Sequence, residues 1–115
     1  MQTLFAQASW TRDRTPDGIV QMLRHSPIHV TAWEGEAIIG FARAFTDTIY
    51  RATIDDVIVD EAHRRTGVAT ELLRRISHEL RHVDEVYLFC DLDLVSFYDK
   101  RGFRPVDCAT LTRRP

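Results

Sequence analysis

Lysine is almost missing from this chain of 115 residues: of its 15 basic side chains, Lys100 is the only one that is not arginine. Arginine in such excess suits phosphate recognition, but a compositional bias accounts for it equally well. Cysteine is scarce too. Cys90 and Cys108 show no metal-like spacing, so two unpaired thiols of an intracellular protein are the expectation. No run of about 18 apolar residues is present, which excludes a helical membrane span. The opening Met1–Gln7 lacks the basic start and apolar core of a signal peptide, so the cytoplasm is the expected compartment. A net charge of -2 gives no general reason to expect nucleic acid or an anionic membrane as partner. What is there is a globular balance, 44% apolar and 28% charged, without linker, repeat or low-complexity run. One domain over residues 1–115 is expected.

Residues 1–15 show no clear period; Leu4, Phe5, Ala8 and Trp10 fit a short helix or a loop. Pro16 to Arg24 reads as a helix. Thr15 can cap it, Pro16 fits the first turn, Asp17 suits the dipole, and Ile19, Met22 and Leu23 share a face. Ile28 to Trp33 reads as a strand, Glu34-Gly35-Glu36 as a hairpin turn, and Ala37 to Phe45 as the next strand. In that strand Gly40, Ala42 and Ala44 leave one face thin enough for a helix to pack close, while Ile39, Phe41 and Phe45 form the other, interrupted by Arg43. Ile49 to Val59 is a third strand, interrupted by Asp55-Asp56. Neighbours in a regular strand point to opposite faces, so these two carboxylates are expected apart.

Gly67 to His82 reads as a helix whose Val68, Leu72, Ile76 and Leu80 recur every four residues and are buried. Glu85 to Cys90 is a fourth strand, which makes a βαβ unit with the third strand and the helix, its crossover right-handed. Leu92 to Arg101 is a short helix ended by Gly102. Phe103 to Leu111 reads as a final strand, with Pro105 marking a bulge or an edge. The fold class is α/β (α+β): a mixed sheet, antiparallel hairpins first and a parallel βαβ unit later, with helices on both faces.

The most informative stretch runs from Val57 to Leu73. A β-branched strand end, Val57-Ile58-Val59, leads through a basic turn, Arg64-Arg65-Thr66-Gly67-Val68-Ala69, into the long helix. The first N–H groups of a helix have no intrahelical partner and carry the positive end of its dipole. Gly67 and Ala69 are small enough to let a ligand approach them. Such a turn is a site for a phosphate or pyrophosphate. It is not a nucleotide P-loop, because no lysine follows Gly67, and not a dinucleotide fingerprint, which needs three glycines.

Arg64-x-x-Gly67-x-Ala69 after this strand, Leu72-Leu73 in the helix, and the later stretch Phe97-Tyr98-Asp99-Lys100-Arg101-Gly102-Phe103 together resemble the GNAT superfamily of N-acetyltransferases. The likeness covers residues 10–111. It implies acetyl-CoA as co-substrate, with the backbone of Val57, Ile58 and Val59 binding the pantetheine arm. Arg64, Arg65, Thr66, Gly67, Val68, Ala69 and Thr70 would hold the pyrophosphate. It implies direct acetyl transfer in a ternary complex to a small-molecule amine or a protein amino group, with no metal. The chain departs from the family in lacking the strand that usually precedes the first helix. A homodimer partner would close the sheet edge this leaves. Glu61 also stands where the family often has proline. The alternative reading is a CoA-binding sensor or interaction module that lost turnover.

Tyr98 is the candidate general acid: its phenol, with a pKa near ~10, is protonated at neutral pH and can supply a proton to a departing thiolate. The attacking amine needs a base, and Asp55 and Asp56 are both candidates, with bulk water as the third. Asp91 and Asp93, at the end of the fourth strand, could orient an amine, but capping the short helix is the commoner role of Asp there and is the expectation. Cys90 is expected in the core, and so are Trp10 and Trp33, although either tryptophan would also suit a pocket wall. His78 and His82 are spaced i, i+4 but have no third ligand, so a surface position is expected for both.

Overall fold

The computed structural model describes residues 1–115. Two helices open the chain, α1 (Gln2–Phe5) and α2 (Pro16–Arg24), and three strands follow, β1 (Ile28–Glu34), β2 (Ala37–Thr46) and β3 (Arg51–Val59). A 3-10 turn (Glu61–His63) leads to α3 (Val68–Glu79), then β4 (Glu85–Leu88), a second 3-10 turn (Leu92–Leu94) and α4 (Val95–Asp99). The sheet order is β1-β2-β3-β4; β1, β2 and β3 are antiparallel neighbours, and β4 lies parallel to β3. This is the expected mixed sheet.

Thr15 caps α2 as expected, its side chain accepting from the Gly18 N–H at 3.0 Å. The thin face of β2 also receives a helix. A Cβ on Gly40 would come within 3.0 Å of Leu72 Cδ1 and of Val68 Cγ1, so glycine sets the distance between α3 and the sheet. Under α3 lies one core, with Ala42, Ala44, Ala52, Ile54, Leu72, Ile76 and Leu80. The other sheet face carries a second core, where Phe41 and Ile58 meet Leu4, Phe5, Ala8 and Ile19 from the N-terminal helices. Burying an Ile or Leu side chain of this kind stabilises the fold by about 1.5–3 kcal/mol.

β3 serves both cores because it is bulged. Phe41 pairs with Ile58 and Arg43 with Asp55, so Ala42 alone faces Asp56 and Val57. Asp56 takes the left-handed conformation, φ 54°. The extra residue reverses the alternation of side chains. Ile54 therefore packs under α3 and Ile58 packs on the opposite side, although they are four positions apart. The expectation that Asp55 and Asp56 point apart fails for the same reason: Arg43 reaches both, at 3.6 Å and 2.7 Å.

Two other expectations are corrected. β4 ends at Leu88, short of Cys90. The final strand from Phe103 to Leu111 does not form. Beyond Phe103 the backbone makes no hydrogen bond to the rest of the chain, and a cavity of about 720 Å³ separates this segment from β4. A strand needs a neighbour at hydrogen-bonding distance, and none is there.

Candidate active site

The parallel pairing of β3 with β4 runs from Arg51↔Glu85 to Ile54↔Leu88 and stops. Beyond it β3 bulges and β4 ends, so no strand pairs with that edge of β3 from Asp55 to Val59, although Arg64 Nε donates to the Val59 carbonyl at 3.4 Å. A cleft of about 350 Å³ occupies the gap. Ile54, Asp55, Asp56 and Val57 form one wall, and Leu88, Phe89, Cys90 and Asp91 form the other. Ser9, Trp10, Leu94 and Tyr98 complete the lining.

Val57, Ile58 and Val59 lead from this cleft to the basic turn. There the backbone N–H groups of residues 65–70 make no hydrogen bond within the chain, while the next one, of Glu71, donates to the Gly67 carbonyl at 3.0 Å. Arg65 and Gly67 adopt left-handed conformations on either side of Thr66, φ 63° and 89°. Alternation of this kind turns successive N–H groups towards a common anion. The space beside Gly67 is open, with no atom within 4 Å of a Cβ placed there. Arg64 and Arg65 are exposed. Six free donors, two guanidinium groups and a helix dipole can hold a pyrophosphate.

The turn is braced from both sides. His63, just before it, bridges Asp60 and Glu34, each at 2.9 Å, and the bonds to Asp60 and then Glu34 raise the pKa of its ring. Arg101 donates to the Thr70 hydroxyl at 2.8 Å and stacks on Phe97, 3.6 Å from the ring centroid. This ties α4 to the start of α3. Sequence reasoning missed Arg101, although it lies inside the Phe97–Phe103 stretch.

Tyr98 lies on α4 between the two cavities, only 9% exposed. Its ring packs edge-on against Phe97 and Phe103. The hydroxyl has no hydrogen-bond partner within the chain and is not sealed from solvent. Burial raises the phenol pKa, the neighbouring Cys90 adds to this, and Arg101 opposes it. The phenol is thus protonated at neutral pH and free to donate.

The two aspartates divide. Asp56 is 3% exposed, and both of its oxygens are engaged. Arg14 bonds it at 2.6 and 3.0 Å, Arg43 at 2.7 Å and the Trp10 indole N–H at 3.3 Å. Burial pushes its pKa up, but the hydrogen bonds and charges of Arg14 and Arg43 outweigh burial and hold it below the usual carboxylate range. Asp55 is half-exposed and accepts only the Asp56 N–H at 2.8 Å, with Arg43 more distant. Arg14, which makes the clamp on Asp56, lies in a stretch whose pattern gave no signal for it.

The remaining expectations are partly overturned. Cys90 is exposed rather than in the core, because β4 ends before it. Its thiol pKa is raised by partial burial and by Asp91 and Asp93. Asp91 makes no side-chain capping bond. Trp10 and Trp33 are 56% and 59% exposed, and Trp10 walls the cleft. His78 and His82 are on the surface.

The model of the acetyltransferase (GNAT) family matches residues 2–103. An uncharacterized N-acetyltransferase of the ycf52-like type from Prochlorococcus marinus is 28% identical over 109 residues, covering 90% of this chain and 60% of the relative. A ycf52 protein from Gracilaria tenuistipitata, also described as an uncharacterized N-acetyltransferase, is 40% identical over 68 residues, 57% of this chain and 37% of the relative. The chain therefore spans less than two thirds of the length of these relatives. A crystal structure from Deinococcus radiodurans R1, assigned to the acetyltransferases, superposes with a TM-score of 0.85 at 29% identity, covering 98% of this chain and 81% of that one. The chain belongs to the GNAT acetyltransferase family.

Proposed function

We propose that the protein moves the acetyl group of acetyl-CoA to a primary amine, small molecule or protein amino group, by direct attack in a ternary complex. One observation carries the reading. β3 runs from the cleft that Tyr98 lines, along its edge unpaired by β4 at Val57–Val59, towards the turn whose six amides at residues 65–70 are free. The amides and Arg64-Arg65 suit the pyrophosphate. The open backbone of Val57, Ile58 and Val59 suits the amide-rich pantetheine arm, as an added strand edge would. The thioester then falls in the gap between β3 and β4, where a free backbone N–H polarises its carbonyl.

In the reaction the amine nitrogen bonds the acetyl carbon as the C–S bond breaks. Tyr98 gives its proton to the leaving thiolate. Asp55, directly or through water, takes the proton the amine must lose. Asp56 is set aside as the base, since its lone pairs are spent on Arg14, Arg43 and Trp10. Release of free CoA from acetyl-CoA, measured across a panel of amines, tests the proposal. Amine-dependent release above the no-amine rate supports it. Tight acetyl-CoA binding with no release for any amine supports the sensor reading instead.

A further inference from the structure

We propose that the acceptor is a dicationic amine, selected by Asp91 and Trp10. The inference rests on the acetyl-transfer reading above and adds the chemistry of the acceptor. The cleft lining holds three carboxylates, Asp55, Asp56 and Asp91, and no Lys, Arg or His. These three are not equal. Asp56 is neutralised by Arg14 and Arg43, and Asp55 is partly offset by Arg43 at 3.6 Å. Asp91 has no ion pair and no side-chain hydrogen bond, and neither has Asp93 beyond it. The wall formed by the end of β4 therefore carries net negative charge that the protein does not compensate.

Two further features of the same cleft point to a ligand. Tyr98, nine-tenths buried and with an unpartnered hydroxyl, lines this cleft and marks the reacting end. Trp10, 56% exposed, has its indole N–H tied to Asp56 at 3.3 Å. A pinned indole with an open face, lining the same cleft as the uncompensated Asp91, suits an ammonium group.

The chemistry requires a second nitrogen. An ammonium held beside Asp91 has its pKa raised by that charge and loses its proton with more difficulty. It serves as an anchor and not as the nucleophile. The nitrogen that attacks must reach the gap neutral, beside Asp55 and Tyr98. An alkyl diamine supplies both: one nitrogen forms the C–N bond and gives up its proton to Asp55 or water, and the other remains charged at Asp91 and Trp10.

The test compares 1,4-diaminobutane with n-butylamine as acceptors. The wild type should favour the diamine in kcat/KM by about tenfold or more, and added salt of about 0.5 M should shrink that preference. Asp91→Asn should bring the ratio to about one, with the loss falling on KM for the diamine and not on kcat. Asp91 is exposed and its side chain bonds nothing, so the variant should fold. Equal efficiencies in the wild type, or a preference that survives Asp91→Asn, would overturn the proposal. If neither amine is acetylated, the transfer reading fails by itself, and calorimetry of the diamine into CoA-saturated protein then decides. Binding weakened about tenfold by Asp91→Asn supports this acceptor site, whereas absent or unchanged binding refutes it.

Discussion

Arg43 crosses from β2 to Asp56 on β3, its Nε 2.7 Å from a carboxylate oxygen in a setting where the aspartate side chain is 1% exposed. Breaking such a pair leaves a buried charge without compensation. Asp56→Ala should lower stability by about 3–5 kcal/mol in urea unfolding. The pH dependence follows from the lowered pKa of Asp56. A depressed carboxylate pKa contributes stability that is present above the unfolded value of about 3.9 and is lost as pH falls through the folded value. Asp56→Asn, which tolerates the left-handed backbone, should remove that component of the acid transition. An unchanged acid limb would show that the clamp adds nothing.

Gly40 should not accept a methyl group. Its Cβ would meet Leu72 and Val68 at 3.0 Å and Ala32 at 3.3 Å. Gly40→Ala should cost about 1–3 kcal/mol by overpacking. Val68 opens α3, so the shifted helix should also bind CoA more weakly. Thermal melts with and without CoA read both effects, and a variant as stable as wild type would mean that α3 floats over the sheet.

Gly67→Glu should abolish CoA binding while the fold survives. The carboxylate would sit where the pyrophosphate is expected, repelling it and covering the free amides. The left-handed φ of 89° adds a strain of roughly 1–2 kcal/mol for any side chain. Gly67→Ala isolates that strain. In calorimetry the alanine variant should keep most of its affinity and the glutamate variant none; equal affinities would place the anion site elsewhere.

Tyr98→Phe separates chemistry from packing. The ring contacts with Phe97 and Phe103 remain, and the hydroxyl has no partner to lose. Stability should change little, and acetyl-CoA should still bind. With the best acceptor and chemistry rate-limiting, kcat and kcat/KM should fall together by about 10². A variant within about threefold of wild type would remove Tyr98 as the acid, since general acid catalysis is worth more than that.

The elements that a single stretch can specify were legible. Thr15 with Pro16, the four-residue spacing of Val68, Leu72, Ile76 and Leu80, and the turn at Gly67 each contain their own reason within a few residues. What escaped depended on neighbours distant in sequence. The pattern Phe103 to Leu111 suits a strand, but no pattern reveals whether a paired backbone waits beside it. Asp56 in a left-handed conformation reads locally as an ordinary strand position, and it is Arg14 and Arg43, 42 and 13 residues away, that hold it there. Cys90 and Asp91 were assigned to a strand and a cap because the early end of β4 leaves no local mark. Trp10 reads as a core residue, with a pocket wall as the alternative; its N–H, committed to Asp56, goes with a ring that lines the cleft.

The bulge in β3 also sets a reading frame for insertions and deletions. Residues before it and residues after it are counted out of phase, so losing Asp56 alone would remove the bulge and leave an evenly alternating strand. Val57, Ile58 and Val59 would keep their present faces, opposite Ala42, Phe41 and Gly40. Losing two residues there would instead turn Ile58 from Phe5 and Phe41 to the α3 side and drive the two valines towards the N-terminal helices. The tolerance of this segment to length change should therefore alternate between odd and even, a property of the strand's arithmetic and not of any one side chain.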